Sequence, residues 1–123
     1  MTKNNLKSRL LNGETVYGPF CKLQDPSVVE IAALANFDFV ILDMEHGPLS
    51  VETIQNISRA AKAQSLEVGV RVTENMPASI LRVLDIGVHS IQVPQVSTKE
   101  DAQEVKGQQI IGRRKNKKKE EQA

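Results

Sequence analysis

The sequence predicts an α/β protein built on a parallel sheet covered by helices. Three observations carry this. Strand-like and helix-like segments alternate four times. The run Phe39-Val40-Ile41-Leu42 is continuously apolar, as in a strand buried on both faces. The second, third and fourth strand candidates begin roughly 25–30 residues apart, the size of one strand–helix–strand unit. Parallel strands joined by right-handed helical crossovers follow.

Each element has a local reason. Leu6, Leu10 and Leu11 lie at helical spacing, and Gly13 ends that short helix. Val16 to Leu23 reads as a first strand, apolar with few charges. Asp25-Pro26 opens the next helix, with Asp25 as cap and Pro26 at the first helical position. That helix carries Val28, Val29, Ile31, Ala32, Leu34 and Ala35. Phe37 to Leu42 is the second strand, and it runs directly into Asp43, Glu45 and His46. Ser50 caps a helix with Val51, Ile54 and Ile57 on one side. Glu67 to Val72 is a third strand, in which Val68, Val70 and Val72 alternate with Gly69 and Arg71. Pro77 starts a helix with Ile80, Leu81, Val83 and Leu84, closed by Gly87. Ser90 to Val96 is a fourth strand, and Thr98 with Asp101 forms a capping box for a further helix.

Two architectures share this element order: an open doubly wound sheet and part of a (β/α)8 barrel. Gln24-Asp25-Pro26 follows the first strand where a dinucleotide-binding fold has a glycine-rich phosphate loop, which weakens that reading. Residues 1–105 form one unit. From Lys106 to Ala123 the chain is basic (Arg113, Arg114, Lys115, Lys117, Lys118 and Lys119, then Glu120 and Glu121) and is expected to be disordered or a frayed helix.

Composition sets bounds. The 123 residues suffice for one domain with a modest core; 40% are hydrophobic, and the formal net charge of +1 gives no whole-chain pull toward nucleic acid or membrane. The basic tail lacks interleaved aromatics for base stacking and reads as a solvated run. The single cysteine, Cys21, fits a small buried strand residue in a reducing cytoplasm better than a nucleophile. Apolar runs are too short to span a membrane, and Met1 to Lys7 lacks the apolar stretch of a secretory signal.

In parallel α/β folds, sites form at the carboxyl ends of strands. There this chain places Asp43, Glu45 and His46 after strand two, Arg71 on strand three, and Gln92 and Gln95 around Val93-Pro94 on strand four. Asp85 lies in the helix before strand four. A histidine ordinarily titrates near about 6.5, suited to proton transfer at neutral pH. A carboxylate such as Asp43 can orient its ring or raise its pKa. Arg71 offers a fixed cationic fork for a carboxylate or a developing oxyanion. Base plus cation is the minimum for forming and holding an enolate. Plainer roles stay open: a structural hydrogen-bond donor for His46, an ion pair for Arg71, a turn contact for Asp85, and solvated loop positions for Glu74, Asn75 and His89.

The segment Phe37 to Pro48, which ends in Asp43-Met44-Glu45-His46-Gly47-Pro48, resembles the second-strand signature of the HpcH/HpaI aldolases. That family includes 4-hydroxy-2-oxoheptanedioate and 2-dehydro-3-deoxyglucarate aldolases. Val16-Tyr17-Gly18-Pro19, Asp25-Pro26-Ser27, Val70-Arg71-Val72, Leu84-Asp85-Ile86-Gly87 and Val93-Pro94-Gln95-Val96 extend the likeness from Leu6 to Val105. The resemblance implies the first half, about four βα units, of a (β/α)8 barrel. It implies a lyase that cleaves a 4-hydroxy-2-oxo acid to pyruvate and an aldehyde, aided by Mg²⁺ or Mn²⁺. In that scheme His46 is the acid–base residue supported by Asp43, and Arg71 binds pyruvate oxygens and stabilises the enolate. Asp85 matches an aspartate near the mouth of the site, and Glu45 orders metal-bound water.

The family's metal ligands are a Glu and an Asp on later strands, and this sequence ends before either. The chain alone is therefore expected to bind no metal and to be inactive or nearly so. The alternative is a non-catalytic half-barrel that pairs with another chain, as a homo-oligomer or with a separate second half, through the unpaired edges of strands one and four. The shift in composition after Val105 suggests a frameshift or premature end. That idea fails if neither alternative reading frame of the gene encodes strands five to eight.

Overall fold

The structure, a computed structural model, describes residues 6–107. The expectation of a disordered or frayed tail falls almost wholly outside them. Elements follow in the order α1 (Leu6–Leu11), β1 (Phe20–Cys21), α2 (Ser27–Leu34), β2 (Phe39–Asp43), α3 (Val51–Ala63), β3 (Glu67–Arg71), α4 (Pro77–Ile86) and β4 (Ser90–Gln92). Residues 99–107 form a last helix. The four strands are parallel and lie in sequence order, β1-β2-β3-β4. This is the half-barrel arrangement that four consecutive βα units generate.

The two faces of the sheet differ. Cys21, Val40, Leu42, Val68 and Val70 are buried and pack with Val29 of α2, Ile54 and Ile57 of α3, and Ile80 and Val83 of α4. Each such aliphatic side chain contributes roughly 1.5–3 kcal/mol by leaving water. The residues between them on the strands belong to the other face. There Phe20, Ser90 and Gln92 are exposed and Phe39 and Ile41 are half-buried. In a closed barrel this would be the interior face.

Local chemistry sets the ends of the elements. The Asp25 carboxylate accepts from the Ser27 amide at 2.9 Å while Pro26 already has helical dihedrals (φ −56°, ψ −23°), so α2 opens as expected. Ser50 accepts from the Thr53 amide at 3.2 Å to cap α3. Gly87, at φ 90°, closes α4 in the left-handed region. The Thr98 hydroxyl accepts from the Asp101 amide, and the Asp101 carboxylate accepts from the Thr98 amide, a reciprocal capping box.

Two strands are shorter than expected. Strand one, read as Val16 to Leu23, is regular only over Phe20–Cys21. Pro19 has no N–H for the ladder. Gly18 presses on β2 so closely that a Cβ there would lie 2.3 Å from the Phe39 carbonyl oxygen. The segment still runs alongside β2, because Tyr17 and Pro19 carbonyls accept from the Asp38 and Ile41 amides. Strand four, read as Ser90 to Val96, stops at Gln92: Pro94 cannot donate, and Gln95 turns into the left-handed region (φ 59°).

Helix α1 lies under the amino-terminal ends of the strands. Arg9 pairs with Asp38 just before β2, and the Leu6 amide donates to Glu67 at the start of β3 (2.9 Å). Among the described residues no helix is long and apolar enough to cross a membrane.

Candidate active site

Asp43 ends β2 and Arg71 ends β3, and the parallel register sets them directly opposite each other. Asp43 is fully buried. Its carboxylate accepts from Arg71 Nε at 3.1 Å and Nη2 at 2.5 Å, a bidentate pair. The same carboxylate accepts from the backbone amides of Glu45 (3.0 Å) and His46 (3.2 Å). It thereby folds the loop after β2 back over the strand end. Gly47 permits the fold: a Cβ there would sit 2.8 Å from the Asp43 carbonyl oxygen and 3.1 Å from Lys22 Cβ. The hydrogen bonds from Arg71 hold the Asp43 carboxyl at about 2, against burial, which alone would raise it; the two loop amides add to the lowering. Asp43 in turn raises the Arg71 pKa, with a weaker pull from Glu45.

His46 projects outward, with its side chain 61% exposed. Its Nε2 lies 2.7 Å from Glu45 Oε1. A proton on Nε2 donated to Glu45 leaves Nδ1 with the ring's lone pair, the nitrogen able to exchange a proton with a ligand. The carboxylate behind the imidazole is therefore Glu45. Asp43 was expected in that place, but its oxygens are committed to Arg71 and two amides. It supports His46 through the backbone and not through the ring.

Asp85 is not brought into this cluster. Helix α4 runs antiparallel to the strands it connects. Asp85, near its carboxyl end, is exposed on the approach to β4, toward the amino-terminal ends of the strands, whereas Asp43 and Arg71 lie at the carboxyl ends. Gln92 does arrive: it pairs in register with Arg71, and its carbonyl accepts from the Val72 amide. Gln95 is exposed beyond the strand. His89, read as a solvated loop residue, accepts the Val68 amide on Nδ1 at 3.1 Å and so pins the start of β4 to β3.

One contributor escaped the sequence reading. The Arg71 guanidinium carbon lies 4.9 Å from the centroid of the Phe20 ring. Phe20 shares the inner face with Asp43, a placement that becomes visible once β1 is registered on β2.

The residues do not form a divalent-metal site. Asp43 is saturated by its own partners. Glu45 Oε2 is buried without a hydrogen-bond partner and is a competent ligand atom. One carboxylate oxygen is not a ligand set, however, and among the described residues no three His, Cys, Asp or Glu side chains gather around one point.

With this geometry established, comparison with known proteins is specific. Residues 17–120 match the family described as HpcH/HpaI aldolase/citrate lyase, a span that continues past Val105. A 5-keto-4-deoxy-D-glucarate aldolase from Klebsiella pneumoniae is 39% identical over 99 residues, 80% of this chain and 39% of that protein. An HpcH/HpaI aldolase of known structure from Desulfitobacterium hafniense superposes with a TM-score of 0.77 at 32% identity, covering 82% of this chain and 39% of its own. The structure of the citrate synthase SbnG superposes with a TM-score of 0.74 at 42% identity, over 78% of this chain and 39% of its own. The chain thus spans about two-fifths of the length of the relatives it matches.

Proposed function

Because the chain belongs to the HpcH/HpaI aldolase/citrate lyase family, we propose that Arg71, His46, Glu45 and Asp43 handle a small 2-oxo acid in carbon–carbon lyase chemistry. The reaction is retro-aldol cleavage of a 4-hydroxy-2-oxo acid to pyruvate and an aldehyde. The observation that carries this reading is the strand-end placement of a half-buried, carboxylate-braced Arg71 beside an exposed His46 that is paired with the half-buried Glu45. The name of the aldolase relatives agrees with it. Counted from the carboxyl beside its carbonyl, 5-keto-4-deoxy-D-glucarate has the 2-oxo, 3-deoxy, 4-hydroxy pattern that such cleavage requires.

The geometry supports the following roles. Nε and Nη2 of Arg71 are held by Asp43, which leaves Nη1 outside that pair as the donor assigned to a ligand carboxylate or the C2 oxygen. His46 Nδ1 takes the proton of the C4 hydroxyl. The C3–C4 bond breaks, its electron pair passes to the C2 oxygen as an enolate, and an aldehyde leaves. The proton returns to C3 to give pyruvate. Glu45 holds the other ring nitrogen and stabilises the imidazolium formed in between. In the family a bound Mg²⁺ or Mn²⁺ adds Lewis-acid stabilisation of the enolate. The described residues offer no ligand set for it, so turnover by this chain alone is expected at or near background. The buried, single Cys21 suits a cytoplasmic setting.

A pyruvate-release assay with added Mg²⁺ or Mn²⁺ tests this directly. Background rates are expected. Robust turnover abolished by His46→Ala would overturn the expected inactivity while supporting the site. Turnover indifferent to His46→Ala would overturn the site itself.

A second reading rests on the partly open inner face and the outer edges of β1 and β4, which are unpaired among the described residues. In it the chain is a half-barrel that assembles with another chain, and catalysis, if any, belongs to the assembly.

A further inference from the structure

Arg71 is bounded on two sides. Asp43 grips one edge of the guanidinium through Nε and Nη2. The Phe20 ring lies against it, with its centroid 4.9 Å from the guanidinium carbon. The strand register builds this arrangement. Phe20 stands opposite Ile41, Asp43 follows Ile41 on the same face of β2, and Asp43 stands opposite Arg71. Arg71 therefore reaches back across β2 to meet β1. Phe20 remains 54% exposed, so burial of its ring is a small part of what it contributes there.

A bidentate carboxylate fixes the guanidinium within its own plane but leaves tilting about the shared edge soft. A ring beneath the guanidinium carbon restrains that tilt, through the attraction between a delocalised cation and an aromatic quadrupole. We propose that Phe20 is a positioning residue. Its ring holds the plane of Arg71 so that Nη1 is presented to an incoming oxyanion, the carboxylate or enolate oxygen of a 2-oxo acid. The identity of that ligand rests on the reading of the site given above; the hold of Phe20 on Arg71 does not.

The test compares Phe20→Leu, which keeps bulk without a π face, with Phe20→Trp, which restores one. Two readouts separate the inference from the functional reading. The first is the Arg71 Nε–H signal in heteronuclear NMR, assigned by its loss in Arg71→Lys. In the wild-type chain ring current should move this proton upfield and packing should slow its exchange with water. Phe20→Leu should abolish both effects and Phe20→Trp should restore them. An unchanged signal in Phe20→Leu overturns the proposal. The second is titration with pyruvate. Phe20→Leu should weaken binding roughly three- to fivefold, the scale of one partly exposed cation–ring contact, with Phe20→Trp near wild type and both variants still unfolding cooperatively in urea. Equal pyruvate affinity in wild type and Phe20→Leu also overturns it. If the wild-type chain binds no pyruvate while the Nε–H signal behaves as described, the 2-oxo acid reading fails and the positioning of Arg71 by Phe20 stands.

Discussion

The Asp43 carboxyl, held at about 2 against an ordinary value of 3.8, ties the site to the stability of the fold. A carboxyl whose pKa is lowered by folding contributes stability above its unfolded value, and that contribution is lost as pH falls through the folded value. The shift corresponds to about 2 kcal/mol. Denaturant unfolding at a series of pH values should give a plateau above about pH 5 and a decline between about pH 4 and 2 that is shallower in Asp43→Asn, where the lowered carboxyls of Asp25 and Asp101 remain. At neutral pH Asp43→Asn should cost about 3 kcal/mol, the low end for breaking a buried pair, because Arg71 keeps some contact with solvent. His46→Ala removes an exposed ring and should change stability by less than about 0.5 kcal/mol, which makes it a clean probe of chemistry. Asp43, Glu45, His46 and Arg71 were legible as chemistry because charged residues break abruptly from apolar strands. Their pairing was not. Nothing in the order of residues says that Asp43 spends its oxygens on Arg71 and two amides and leaves the imidazole to Glu45. Asp85 shows a related limit of reading: a sequence motif names a residue without saying which end of the sheet its helix reaches.

At the scale of elements, the punctuation was read most securely where a side chain caps or a proline and glycine bracket a helix. Ser50, Asp25, Pro77, Gly87 and the Thr98–Asp101 box all act as their positions suggest. Ser50→Ala should lower stability by about 1 kcal/mol in urea unfolding, the usual cost of a lost cap. Strand ends were read less well. The apolar content of Val16 to Leu23 and Ser90 to Val96 speaks for burial, whereas the ladder depends on donors that Pro19 and Pro94 lack. Gly18 was an unremarked letter of the first strand, yet it is where β2 comes closest. Gly18→Ala forces its Cβ into the Phe39 carbonyl and should destabilise the chain by about 2–3 kcal/mol, measured in the same way.

For the whole molecule, strand–helix alternation was enough to predict a parallel sheet, though not that its strands lie in sequence order. The choice between an open sheet and a barrel came from resemblance, since four βα units look alike in either architecture. The consequence, among the described residues, is a sheet with one face packed under helices and the other partly open, with β1 and β4 unpaired on their outer sides. Light scattering should find self-association, because exposed strand edges and an uncovered inner face are templates for pairing; a well-folded monomer would sink the assembly reading. Such an assembly and the lyase chemistry both start from the same inner strand ends. Titrating the full chain with pyruvate, read at the Arg71 Nε–H and His46 ring signals, addresses the central claim most directly. Saturable shifts at both residues, with the His46 shift abolished by Arg71→Ala in a chain that still folds, are the predicted result; no saturable shift at either, or a His46 shift that survives Arg71→Ala, would contradict it.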